Sequence, residues 1–439
     1  MTRRRIISLV IITIAAGILI AVSVFFWNNF RGVIPLLRRP SVDITEAIPD
    51  SGTAAEEEDS SGPDLQEAEE EAEETPEGQS GKDDSDKSGE DEDGILDLAR
   101  GFRISILSAD VPAARVLASG PEGDLWISQT GIGRITRIML EDGKSAGQEI
   151  VFEGLDNPHG LAFDPREPNT LYIAEEKKIS RVMLDGNGDP QGGSEKVIDL
   201  PGGGRHYTRT IGFASDGRLY VSIGSTCDVC NESDERIASI YSLNKDGSDF
   251  KLFASGLRNA VFFRWHPLTG EMWATEMGRD NLGDDLPPDE INIILEGRDY
   301  GWPYCYGKNI QDKDFDSSPD AASRCSQAEP SHIDLQAHSA PLGLDFIPEG
   351  GGWPEGYGNN LLVAYHGSWN RSVPTGYKIV RFVLDSKGNL LEREDFISGW
   401  LTEDGKVLGR PVDILVLPGG EAYISDDRAG VIYRLEYRG

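Results

Sequence analysis

The chain is short of positive charge. Its 42 Lys and Arg face 75 Asp and Glu, a formal net charge of −33, so no cationic surplus is available to neutralise a phosphate backbone, and nucleic-acid binding is not expected. Cysteine is scarce as well. The four present are Cys227, Cys230, Cys305 and Cys325; Cys227-x-x-Cys230 is not followed by His, which removes a c-type haem site, and no second close pair or Cys/His cluster supports zinc. Beyond residue 99 no helical 3.6-residue pattern recurs, which argues against a Rossmann fold or a βα barrel. Aromatic residues are missing altogether from 41 to 97.

What is there divides the chain into three parts: 1–40, 41–98 and 99–439. Ile6 to Trp27 is an almost unbroken apolar stretch, and about 22 residues at 1.5 Å rise each are enough to cross a hydrocarbon layer about 30 Å thick. It is expected to be a single transmembrane helix. Arg3, Arg4 and Arg5 place the N-terminus in the cytoplasm, although Arg31, Arg38 and Arg39 on the far side weaken that bias. A cleaved signal peptide would need a small-x-small site after the apolar region, where Phe25, Phe26 and Trp27 stand instead. Residues 41–98 are rich in Glu, Asp, Ser and Gly and hold about 21 of the 33 net negative charges. Such a segment cannot bury enough apolar surface to offset its ordering entropy and is expected to be a disordered tether, with an acidic docking site as the alternative. Everything C-terminal to the span is then extracytoplasmic, periplasmic or at the cell surface. There the cysteines are expected to form two local disulfides, Cys227 to Cys230 and Cys305 to Cys325, with redox catalysis by the first pair as the alternative.

Residues 99–439 repeat. Six strand-like runs recur: Leu125 to Thr130, Leu171 to Glu176, Leu219 to Gly224, Met272 to Met277, Leu361 to His366 and Ala422 to Asp427. Each follows a Gly-, Asp-, Asn- or Pro-rich turn and precedes an alternating strand such as Ile135 to Leu140 or Val431 to Leu435. The first three spacings, about 46 to 53 residues, fit one four-stranded blade each. The wider later gaps leave room for inserted loops. The fold class expected is all-β, a six-bladed β-propeller, with Phe102 to Leu107 completing the last blade and leaving no free edge. A β-sandwich or β-helix is the alternative.

Inner strands of a propeller line its axis, so residues at their starts converge on one mouth. Those positions read Asn157-Pro-His159, Gly204-Arg-His-Tyr207, Leu257-Arg-Asn259, Ala337-His-Ser339 and Gly409-Arg-Pro411. The histidines suit a metal, or one of them serves as a base beside cations that hold an anionic group. Arg258 and Arg410 favour the second reading, because guanidinium forks match carboxylates and repel a bare metal ion. The loop from Glu276 to Asn292, rich in Gly and Asp, is a candidate calcium loop or a solvated acidic turn. Arg298 to Tyr306 is a candidate wall for a planar ligand.

On these residues the chain resembles the soluble quinoprotein (PQQ-dependent) glucose/sorbosone dehydrogenase family, nearest its sorbosone/pyranose dehydrogenase-like branch. The resemblance runs from Phe102 to Tyr437 and rests on Gly204-Arg-His-Tyr-Thr-Arg209, Gly256-Leu-Arg-Asn259, Asp289-Glu-Ile-Asn292, Tyr300-Gly-Trp-Pro303, His366-Gly-Ser-Trp-Asn-Arg371 and Gly409-Arg-Pro-Val-Asp413. It implies oxidation of a sugar or polyol by pyrroloquinoline quinone (PQQ) with Ca2+. His206 would be the base, Arg258 and Arg410 would meet the cofactor's carboxylates, Asn259 would orient a quinone oxygen and Trp369 would stack on the ring. The carbonyls of Gly278 and Arg279 would bind the calcium. With no haem domain, electrons would pass to a separate acceptor. Gly224-Ser-Thr-Cys227, Met277 and Val412 depart from the glucose dehydrogenase pattern and leave the sugar open. A calcium-dependent lactonase or other hydrolase would instead need Glu, Asn and Asp ligands on the axis, and a non-catalytic binding propeller would need no cationic mouth.

Overall fold

The computed structural model describes residues 41–42 and 96–439. The apolar stretch 6–27 and most of the acidic segment lie outside the described residues, and among the described residues no helix is long and apolar enough to cross a membrane.

Six units of four antiparallel strands succeed one another along the chain, the third extended by Arg298–Asp299 in parallel and the fifth by two further strands, each starting from a short inner strand: Ala114–Ser119, Leu161–Asp164, Ile211–Phe213, Phe263–Trp265, Pro341–Phe346 and Pro411–Val416. We number the blades one to six in that order. Their second strands are the six runs expected from the sequence, ending one residue earlier, at Gln129, Glu175, Ile223, Glu276, Tyr365 and Asp426. These strands are rich in apolar residues for a packing reason: blades cover both of their faces. Leu125–Gln129, Leu219–Ile223, Met272–Glu276, Leu361–Tyr365 and Ala422–Asp426 are buried at every position. The outer strand Lys144–Phe152, by contrast, is mostly exposed. Trp126 and Trp273, fully buried on second strands, are each worth about 3 kcal/mol in removed apolar surface.

Hydrogen bonds between neighbouring blades close the ring. Thr130 Oγ1 donates to Pro158 O at 2.8 Å and Ser225 N to Arg258 O at 2.7 Å. Thr275 Oγ1 donates to Leu342 O at 2.7 Å, Val416 N to Asp345 Oδ2 at 2.8 Å and Ser425 Oγ to Arg115 O at 2.6 Å. The final seam is the one the sequence suggests: Phe102–Ser108 pairs antiparallel with Val431–Tyr437, so the first strand of the propeller finishes blade six.

The propeller begins earlier than residue 99. Leu96–Leu98 pairs with Leu390–Ser398 on the outside of blade five, and Ser41–Val42 pairs with it in turn. Leu96 and Leu98 are fully buried while Asp97 is exposed; that period-two alternation is the strand signature at the end of an otherwise acidic stretch. In blade four, the connection from Glu290–Ile294 to Ile333–Asp334 carries a small hairpin and the helix Pro319–Cys325. Ser318 caps the helix, its Oγ accepting Ala321 N at 3.2 Å, and Pro319 opens it. Both expected disulfides form, Cys227–Cys230 and Cys305–Cys325.

Candidate active site

His206 sits on the approach to the inner strand of blade three. Arg209, 1% exposed, fixes that approach by donating to the carbonyls of His206 at 2.9 Å, Thr208 at 2.8 Å and Pro201 at 2.9 Å. The segment also pairs with the next turn of the blade, through Arg205 N to Thr226 O at 2.9 Å and His206 N to Ser225 O at 3.2 Å. A Cβ on Gly204 would lie 2.4 Å from the Thr226 backbone, so this close approach admits only glycine. The imidazole Nδ1 lies 2.8 Å from Ser225 Oγ. Burial, then the charges of Arg258 and Arg205, hold its pKa well below the ordinary histidine value, which leaves a neutral ring able to accept a proton.

Gly224 marks where two blades meet. A Cβ there would fall 2.6 Å from His206 Cβ and 2.9 Å from Asn259 Oδ1, so the histidine of blade three and the amide of blade four are immediate neighbours. Asn259 is held through its backbone N–H to Glu276 Oε1 at 2.8 Å, and its Nδ2 lies 3.6 Å from Met277 Sδ.

Arg258, beside it, is not a spare cation. Its Nη2 is 2.7 Å from Asp228 Oδ1 and 3.4 Å from Asp280 Oδ2, and its Nε donates to Asp228 O at 2.9 Å. Arg205 reaches the same acids, 2.8 Å from Asp280 and 3.8 Å from Asp228. The basic ring expected from sequence is therefore, on this side, a balanced set of two guanidiniums and two carboxylates. Loops that a repeat pattern does not align bring the acids in.

Arg410 differs. Its Nε donates to His366 O at 3.2 Å and its Nη2 to Gly367 O at 2.9 Å, and among the described residues it makes no ion pair. Two residues past Gly367, the Trp369 ring lies 5.4 Å from the Arg205 guanidinium and is 64% exposed. Asn370 Nδ2 is 3.4 Å from Asp280 Oδ1. The blade-five loop thus leads from Arg410 across to the residue beside His206, at the same end of the ring.

Gly278 N donates to Asp289 Oδ1 at 2.9 Å, and a Cβ on Gly278 would lie 2.7 Å from Pro287 Cγ. Arg279 turns its guanidinium away to Asp312 at 2.8 Å. The Gly278 and Arg279 carbonyls accept no hydrogen bond from the described residues, which suits a hard cation. Burial raises the Asp289 carboxyl to about 6.

The other histidines do not join His206. His159 is fully buried, 3.3 Å from Thr210 Oγ1 and packed on Phe262; His338 Nε2 contacts Gly283 O at 2.8 Å; His366 Nε2 contacts Asp427 at 2.9 Å. Among the described residues the one three-ligand metal grouping is Cys227, Cys230 and Glu232, and its sulfurs are already bonded to each other. An imidazole metal centre is not assembled. The aromatic segment 298–306 is braced, Trp302 Nε1 donating to Asp228 O at 3.3 Å and Tyr304 OH to Asn231 Oδ1 at 2.7 Å, and its Tyr300, Trp302 and Tyr306 line a cavity with Arg258, Gly278 and Arg279.

Known proteins share the sequence pattern and the fold of this propeller. The family described as TrAA12-like matches residues 96–438. The chain belongs to the TrAA12-like family. Within reach of this TrAA12-like chain is an uncharacterised protein of Borreliella burgdorferi, 39% identical over 363 residues that cover 79% of the chain and 92% of the relative. Two solved structures share its fold. The calcium structure of the Trichoderma reesei Carbohydrate-Active Enzymes family AA12 protein superposes with a TM-score of 0.69, and the holo form of the pyranose dehydrogenase PQQ domain from Coprinopsis cinerea with 0.67. Each is 20% identical and covers 78% of this chain and 97% of its own.

In the TrAA12-like chain the residues that sequence reasoning passed over are Arg205, Asp228, Asp280 and Arg209. The Gly204 to Arg209 motif carried a signal for two of them, since a buried arginine needs acceptors. Asp280 lies in the Gly- and Asp-rich loop from Glu276 to Asn292, a candidate calcium loop, but nothing in the sequence pointed it at the arginines, and Asp228 carried no signal.

Proposed function

We propose that this TrAA12-like protein is a PQQ-dependent sugar dehydrogenase that oxidises a CH–OH group of an aldose, sorbosone-like sugar or related polyol and passes the electrons to a separate acceptor. The supporting observation is the meeting of a neutral His206 with Asn259 around Gly224, at the end of the ring where Arg410 is bonded to the His366 and Gly367 carbonyls and makes no direct ion pair among the described residues.

The residues present fit the cofactor. Arg410 would hold a carboxylate of the tricarboxylate quinone, because a guanidinium with no direct ion pair among the described residues can still offer its fork to a carboxylate. Asn259 would donate its amide to a quinone oxygen, and the exposed Trp369 would cover the ring. Gly278 and Arg279 would hold Ca2+ through their carbonyls. When bound, the quinone accepts the hydride and the calcium polarises it. His206 takes the proton of the sugar hydroxyl, a role open to it because its low pKa keeps the ring unprotonated. Arg258, neutralised by Asp228 and Asp280, stabilises the frame between His206 and Asn259 rather than supplying net charge.

The N-terminal apolar stretch is proposed to anchor the protein in a membrane by a single pass, with the acidic tether lifting the propeller clear on the extracytoplasmic side. The two disulfides support that placement, since such bonds persist in oxidising compartments.

The test is direct. PQQ and Ca2+ are added to the purified protein, the quinone absorption is followed, and a panel of aldoses and polyols is supplied with an artificial electron acceptor. Bound quinone and sugar-dependent reduction are expected; absence of both with every sugar tried would refute the reading.

A further inference from the structure

We propose that Ser225 is the positioning residue of the base: it sets the tautomer of His206 by giving its hydroxyl hydrogen to the Cys227 carbonyl and accepting the Nδ1 hydrogen in return. The consequence for turnover rests on the dehydrogenase reading above, whereas the geometry rests on hydrogen-bond chemistry alone.

A serine hydroxyl has one hydrogen to give. Ser225 Oγ lies 2.7 Å from the carbonyl oxygen of Cys227, an atom that can only accept, so the hydrogen is committed there. The same Oγ lies 2.8 Å from His206 Nδ1 and must accept from it. Nδ1 therefore carries the proton, and Nε2 is left with the lone pair a base requires.

Ser225 has little freedom to do otherwise. It is 1% exposed, its N–H donates to Arg258 O at 2.7 Å, and its carbonyl accepts His206 N at 3.2 Å. The acceptor is fixed too. Cys227 belongs to a turn closed by its disulfide to Cys230 and by Glu232, which accepts from Thr226 N at 2.6 Å and Thr226 Oγ1 at 2.8 Å. The same turn holds Arg258 through Asp228 at 2.7 Å. One closed turn thus positions the base on one side and the guanidinium on the other.

A hydroxyl fixes the tautomer without adding charge. The charged groups facing His206 are Arg258, Arg205 and Arg209, while Asp228 and Asp280 are engaged by Arg258 and Arg205. The protonated ring consequently gains no ion pair, and it releases its proton readily after each turnover.

The experiment begins with long-range 1H–15N spectra of 15N-histidine-labelled, cofactor-free protein, the His206 signals being assigned by their loss in His206→Gln. His206 is expected as the Nδ1–H form in the native protein and in Ser225→Thr, whose hydroxyl can make both bonds. In Ser225→Ala the Nε2–H form should appear. With PQQ and Ca2+ bound, Ser225→Ala should lower kcat about tenfold or more with KM and PQQ affinity within about twofold. Ser225→Asp should move the acidic limb of kcat to higher pH by about a unit or more. An Nε2–H signal in the native protein, or a Ser225→Ala protein that keeps Nδ1–H or full kcat, overturns the proposal. Should Ser225→Ala not fold, Ser225→Thr with an Nε2–H ring, or Ser225→Asp with an unmoved limb, overturns it equally. Loss of sugar oxidation in the native protein would instead sink the dehydrogenase reading, and the spectra would still decide whether Ser225 holds the ring.

Discussion

The two sides of the mouth satisfy their cations in different ways. On blades three and four, Arg205 and Arg258 meet Asp228 and Asp280, two charges of each sign within 3.8 Å. On blades five and six, Arg410 is held by the carbonyls of His366 and Gly367 and makes no direct ion pair among the described residues, while the Asp427 carboxylate, bonded to Arg115 and His366, acts on it from nearby. The first side is a prebuilt neutral frame, and the second is where we propose that an anion binds. Arginines at equivalent places in a repeat are therefore not equivalent in function; the acids that the intervening loops bring to them decide what each can bind.

Four changes sharpen or break that contrast. The largest effect is expected at the base itself: His206→Ala should reduce turnover by about 10^2 to 10^4 while circular dichroism and PQQ binding persist, and full turnover would remove His206 from the account. Next is Arg258→Ala, which leaves Asp228 and Asp280 with Arg205 as their one guanidinium partner; the free energy of unfolding should fall by about 3 kcal/mol, read from denaturant titration. If stability is unchanged and only PQQ affinity drops, the neutral-frame description of blades three and four is wrong.

A smaller effect is the pH profile. Because the folded His206 pKa is depressed, the base is already free above the ordinary value of 6.5, and kcat/KM should begin to fall only below that pH. An acidic limb above 6.5 would mean an anion reaches the ring. The smallest effect on stability belongs to Trp369→Ala. With the ring 64% exposed, unfolding should change by no more than about 0.5 kcal/mol, and any loss should appear as weaker PQQ binding.

Much of the fold was legible because second strands, buried on both faces, must be rich in apolar residues, as Met272, Trp273 and Ala274 are in Met272–Glu276. The closing strand Phe102–Ser108 was legible for a related reason, since the last blade had one strand too few. Leu96–Leu98 was hidden by the acidic residues around it. Of the site, His206 and Asn259 could be placed together because both precede inner strands. The pairing of Arg258 with Asp228 and Asp280 could not, as those acids sit on loops from different blades. Nor could the hydrogen-bond direction at Ser225, which needs the Cys227 carbonyl at 2.7 Å.

The central claim is that the Arg410 guanidinium of blade six, without a direct ion pair among the described residues, grips the cofactor. Equilibrium titration of PQQ, with Ca2+ present, into the native protein and Arg410→Ala measures this most directly. The account predicts one saturable site and an affinity lower by about 10 to 10^2 in the variant, the worth of a charged hydrogen bond. Equal affinities, or no binding to the native protein, would contradict it.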